Sequence, residues 1–104
     1  VDQLKQDFRM VCDAYTAAGG RVVVGTMIPR TGASANWTET KRGQFNDWLR
    51  ATWKELGVAL VDFAADSRFA TVTGTYFQVD NTHPNQAGAD ALAEIFVAAT
   101  AGLF

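Results

Sequence analysis

The sequence predicts an α/β fold, part of a doubly wound three-layer α/β/α sandwich, on three observations. Helix-period apolar stripes alternate with two short runs of β-branched and apolar residues, in the order α-β-α-β. Each run is bounded by glycine or proline, the residues that punctuate regular structure. A helix-length segment joins the two runs, and strands connected in that way pair only as parallel neighbours.

Taken in order, Leu4, Phe8, Val11, Cys12 and Tyr15 recur at helical spacing with Lys5, Gln6, Arg9 and Asp13 on the other side. Gly19-Gly20 stops the run, so a helix is predicted from about residue 2 to 18. Cys12 is the only cysteine; it has no internal disulfide partner and falls on the apolar face, where a thiol packs as a small core side chain. Arg21 to Ile28 reads as a strand covered on both faces, and Pro29 ends its ladder. Thr38 followed by Glu39 opens a second helix. Its stripe is Phe45, Trp48, Leu49, Thr52, Trp53 and Leu56, with both tryptophans in the core and Gly57 at the C-terminal cap. Val58 to Phe63 is the second strand. Ala64 to Thr82 has no firm periodicity, and a loop of that length inside a small domain points to function. Ala87, Ala91, Leu92, Ile95, Phe96 and Ala99 mark a last helix, with Pro84 near its first turn.

Composition narrows the function classes. Hydrophobic residues at 48% and charged residues at 19% suit a folded globular domain. Nine basic and eleven acidic residues nearly cancel, and no Lys or Arg cluster supplies the footprint that a phosphate backbone requires, which argues against nucleic acid as a partner. No apolar run approaches the roughly 20 residues that span a bilayer. Two parallel strands rarely stand alone, so strands and helices preceding Val1 are expected to complete the sheet. The start at Val1, without Met or an apolar signal core, reads as a cut or processed end. Asn36-Trp37-Thr38 fits the glycosylation acceptor pattern, which is short enough to recur by chance.

The chemistry concentrates in Val79-Asp80-Asn81-Thr82-His83-Pro84-Asn85-Gln86-Ala87-Gly88, which holds the only histidine. It follows the last strand and precedes the last helix, so it belongs at the C-terminal ends of the strands, where open α/β sheets bind ligands. An imidazole that takes a proton from a serine needs an acceptor on its other nitrogen to fix the tautomer, and Asp80 is spaced to fold back as that acceptor. The plainer reading is an ordinary turn, since Asp and Asn start turns and Thr82 can cap a helix. Asp62 and Asp66 are competing acids that read as strand-end and turn residues. A metal site from Asp62, Asp80 and His83 lacks clustered ligand spacing. Ser34 and Ser67, the only serines, sit in neither a Gly-Asp-Ser nor a Gly-x-Ser-x-Gly context. Trp37, Tyr76 and Phe77 are candidates to line an acyl pocket or to pack on the core.

The block Asp80 to Gly88 resembles the last motif of the SGNH or GDSL hydrolases, Asp-x-x-His followed by Pro and a Gly-bearing final helix. The helix and strand order is similar to that family's C-terminal half. The resemblance implies a flavodoxin-like α/β/α sandwich and ester hydrolysis through an acyl-enzyme on serine, with Asp80 and His83 as triad members and no cofactor. It also implies that the Gly-Asp-Ser block and the oxyanion donors lie on an N-terminal part of the same hydrolase, absent from these 104 residues, unless a second copy of the chain completes the fold. The alternative is a non-catalytic SGNH-like module serving assembly or carbohydrate attachment, with the Asp-His pair a relic.

Overall fold

The computed structural model describes residues 1–31 and 38–103. Its elements are α1 (Asp2–Ala17), β1 (Val23–Gly25), α2 (Glu39–Thr52), β2 (Ala59–Val61) and α3 (Gln86–Thr100). Two 3-10 turns, Phe63–Ala65 and Ser67–Phe69, lie between β2 and α3. The strands pair in parallel, Val23 with Ala59, Val24 with Leu60 and Gly25 with Val61. This is the α/β class and element order that the sequence predicts.

Local chemistry explains the helix ends. Gly19, at φ +84°, takes the left-handed conformation that closes α1, and Gly20 N–H returns to Tyr15 O at 3.0 Å. The Thr38 hydroxyl accepts from Lys41 N at 3.2 Å, satisfying one of the orphan donors at the start of α2. The regular part of α2 ends at Thr52, but hydrogen-bonded turns carry the chain on to Gly57, which reverses it at φ +72°. At α3 the cap is Asn85, whose Oδ1 accepts from Gly88 N at 2.9 Å. Pro84 therefore stands outside the helix and not in its first turn, as does Thr82.

Both strands are shorter than the apolar runs that encode them. The expected Arg21–Ile28 and Val58–Phe63 are reduced to three residues each, with single flanking bonds from Ala59 N to Val22 O (3.0 Å) and Thr26 N to Val61 O (3.1 Å). The reason is partnership. Asp62 and Phe63 peel away into a 3-10 turn, and among the described residues β1 is paired on one side only, so the rest of its run finds no ladder there.

The core forms in two clusters. Cys12, Val24, Phe45, Leu49, Leu56 and Val58 pack α1 and α2 against the strands, with Trp48 and Trp53 half-buried at the margin. Phe8 meets the Phe45 ring edge-on, centroids 5.3 Å apart. The second cluster, Phe69, Phe77 and Ala91, seats α3 and the 69–77 segment, joined by Ile28, Val72, Tyr76, Leu92 and Ile95. Coverage of β1 is uneven: Val24 is buried, whereas Gly25 is exposed beneath the Phe63 ring, where a Cβ would stand 2.7 Å from Cε2. Two of the predicted stripes are only partly used. Val11 and Tyr15 lie on the Phe8 side of α1 yet are 55% and 62% exposed, and Phe96 on α3 is 39% exposed.

Candidate active site

After Phe77 the chain makes a tight turn and returns at Pro84, the two residues forming an antiparallel bridge. Gln78 N–H donates to His83 O at 2.8 Å, and Asn81 N–H to Gln78 O at 2.9 Å. Asn81 sits at φ +55°, a left-handed conformation that Asn tolerates better than most side chains. Within this turn the Asp80 carboxylate accepts three hydrogen bonds. Oδ1 takes the backbone N–H of Thr82 and of His83, each at 3.0 Å, and Oδ2 lies 2.5 Å from His83 Nδ1. Those bonds, the His83 ring first and the two backbone amides after it, hold the Asp80 carboxyl down at about 2.

The geometry assigns the tautomer. An ionised carboxylate only accepts, so the shared proton belongs to Nδ1, and in the neutral ring Nε2 carries the lone pair. Nε2 has no hydrogen-bond partner among the described residues, and the His83 side chain is 71% exposed. The turn is tied to the segment that leaves β1: Thr31 N–H donates to Asn81 O at 3.0 Å, and Thr82 Oγ1 to Thr31 O at 3.3 Å. The pair thus stands at the C-terminal ends of the strands, presenting a proton acceptor outward. The cavity of about 360 Å³ lined by Arg21, Val22, Trp53, Val58 and Leu103 lies at the opposite, N-terminal ends and has no part in this arrangement.

Other acids go elsewhere. Asp62 receives Arg50 through Nε (2.7 Å) and Nη2 (3.0 Å) and Thr26 Oγ1 (2.9 Å), and Arg50 above all keeps its carboxyl below the usual range. Thr26 Oγ1 also accepts from Ala64 N at 2.9 Å, so this cluster pins the chain as it leaves β2. Asp66 caps the second 3-10 turn and binds Arg68, which brings it to about 2. No group of three or more His, Cys, Asp or Glu side chains able to hold a metal occurs among the described residues, so Asp62 is not brought together with Asp80 and His83.

The aromatic candidates divide. Phe77 is buried with its ring edge-on to Phe69 at 6.1 Å, and the half-buried Tyr76 packs on the same ring at 6.0 Å, so both contribute to the core. Ser67 opens the second 3-10 turn, exposed and making no hydrogen bond to the Asp80–His83 pair. Ser34, Trp37 and the Asn36 acceptor pattern lie outside the described residues. Sequence reasoning passed over Thr31, Asn81 and Asn85. Asn85 carried a usable signal, an Asn immediately before a helix, and Asn81 a weaker one, an Asn in a turn; Thr31 acts through a contact distant in the chain.

No family model matches the chain, and no curated protein matches it significantly. Among solved structures it is similar to one described as "a putative SGNH hydrolase from Slackia heliotrinireducens", with a TM-score of 0.64 and 19% sequence identity. The match covers 95% of this chain and 56% of that protein, so this chain spans little more than half of the neighbour's length. Identity at this level speaks for the fold: three helices and a two-stranded parallel sheet arranged as in part of an SGNH-like α/β protein.

Proposed function

We propose that this chain supplies the acid–base half of a serine ester hydrolase site, and that it forms the C-terminal part of a single SGNH-type domain. The observation that carries the reading is the 2.5 Å contact of Asp80 Oδ2 with His83 Nδ1, which leaves Nε2 turned away from Asp80 on an exposed side chain at the strand ends. The nucleophilic serine and the oxyanion donors belong to an N-terminal part of the same hydrolase. In the completed site Nε2 takes the serine proton as Oγ bonds to the ester carbonyl carbon, and the imidazolium is stabilised by Asp80. The proton then passes to the departing alkoxide as the C–O bond breaks. Water, deprotonated by the same nitrogen, releases the acid and restores the serine. Asp80 stays ionised throughout, consistent with its depressed affinity for protons. No step calls for a cofactor.

The test is complementation. The 104-residue chain alone is expected to hydrolyse nitrophenyl acetate no faster than free imidazole, because nucleophile and oxyanion donors each account for orders of magnitude. Adding a polypeptide that bears the Gly-Asp-Ser block should give turnover and fluorophosphonate labelling of its serine, both lost in His83→Ala. Saturable turnover with labelling at Ser34 or Ser67 would refute the reading. An assembled complex that stays unreactive would favour the non-catalytic module.

A further inference from the structure

We infer that Asn85 is the positioning residue of the Asp80–His83 pair, an inference that rests on the proposed acid–base role of that pair. Two residues after His83, its side-chain amide works in two directions. Oδ1 caps α3 by accepting from Gly88 N at 2.9 Å. Nδ2 donates to Thr75 O at 3.0 Å and lies 3.4 Å from the carbonyls of Gly74 and Phe77, on the opposite limb of the turn. The Asn85 backbone N–H adds a bond to Tyr76 O at 3.0 Å. Only one orientation of the amide satisfies both sides, since Gly88 offers a donor and the 74–77 limb offers acceptors alone.

Gly88 carries the second, independent observation. A Cβ there would stand 2.1 Å from Tyr76 O and 2.9 Å from Pro84 Cβ, so both limbs of the turn rest directly on the first turn of α3. The helix is the rigid element, the turn lies on it, and Asn85 is the clamp between them. Gln78 reinforces the clamp, its Nε2 donating to Pro84 O at 3.1 Å. A ring held by one carboxylate on an exposed turn would otherwise be free to sample orientations, and catalytic groups work only when held within about 0.5 Å of their productive places.

Asn85→Asp separates clamping from capping. An aspartate caps a helix as well as asparagine does, but it has no N–H to donate and sets a negative charge against the 74–77 carbonyls. The readout is the imidazole of the sole histidine, followed by ¹H–¹⁵N correlation at about pH 8, where an ordinary imidazole is neutral. The wild-type chain is expected to show a single Nδ1–H tautomer whose proton exchanges slowly. In Asn85→Asp helix content should persist by circular dichroism while the ring averages between tautomers and the Nδ1 proton signal is lost. If the variant fails to fold, Asn85→Ser carries the same test, since its neutral oxygen can cap yet falls short of Thr75 by about 1.3 Å, the length of an amide C–N bond. A variant that folds and keeps the single protected tautomer would overturn the inference and leave the pair's role intact. A wild-type ring that already averages would overturn both.

Discussion

At the scale of residues, the Asp80 carboxylate is an exposed group that folding makes strongly acidic. Its value of about 2 lies below the 3.9 or so of an unfolded chain. A depressed carboxyl contributes stability that is fully present above the unfolded value and is lost as pH falls through the folded one. The contribution of Asp80 should therefore fade between about pH 4 and pH 2 and stay constant above that window. Carboxyl ¹³C titration checks it, and a midpoint at 4 or higher would contradict the hydrogen-bond pattern. In the complemented enzyme His83→Ala should lower kcat by on the order of 10⁵ to 10⁶. Asp80→Asn should cost less, about 10⁴, because the carboxylate orients and stabilises while the imidazole moves the proton. Comparable losses in the two variants would assign Asp80 a larger part than orientation.

Among the elements, two glycines show how packing and not composition sets the effect of a substitution. Gly43 lies inside α2 with nothing within 4 Å of where a Cβ would stand. Gly43→Ala should stabilise the chain by about 0.5 to 1 kcal/mol through helix propensity. Gly88 is also helical, yet its Cβ would collide with Tyr76 O at 2.1 Å, a backbone atom that cannot rotate away. Gly88→Ala should destabilise by at least the 1 to 3 kcal/mol or so typical of overpacking and displace the His83 turn. Urea unfolding of both variants gives the comparison, and shifts of the same sign would remove the argument. Thr38→Ala, which deletes the α2 cap, should cost about 1 kcal/mol in the same assay.

The whole molecule carries an open edge. Among the described residues β1 has one neighbour, and Met10, Val11 and Tyr15 of α1 are more than half exposed. The Cα radius of gyration is 14.4 Å, larger than the 13 Å or so of a compact domain of this length. An unpaired strand edge and exposed apolar side chains each invite another segment to associate. The 104-residue chain is therefore expected to occur in solution as a complex with an N-terminal part of the same fold, or as a dimer of this chain when alone. Light scattering at micromolar concentration measures this directly. A compact monomer with cooperative thermal unfolding would show that the two clusters suffice.

What the sequence by itself determined is what short-range chemistry governs. Helix period places α1, α2 and α3, the hydroxyl of Thr38 and the freedom of Gly19 and Gly57 set boundaries, and the three-residue spacing lets Asp80 reach His83 within one turn. Each depends on residues within a few positions of one another, where spacing translates directly into geometry. The tertiary structure alone decided how far each strand extends, because a ladder is as long as its partner allows. It likewise packed Tyr76 and Phe77 into the Phe69 cluster, bound Asp62 to Arg50 and Thr26, and made Asn85 the bridge between helix and turn. Thr26 and Asp62 are 36 residues apart and Thr31 and Thr82 are 51. Periodicity carries no information at such separations, since which distant side chains meet follows from how the layers pack.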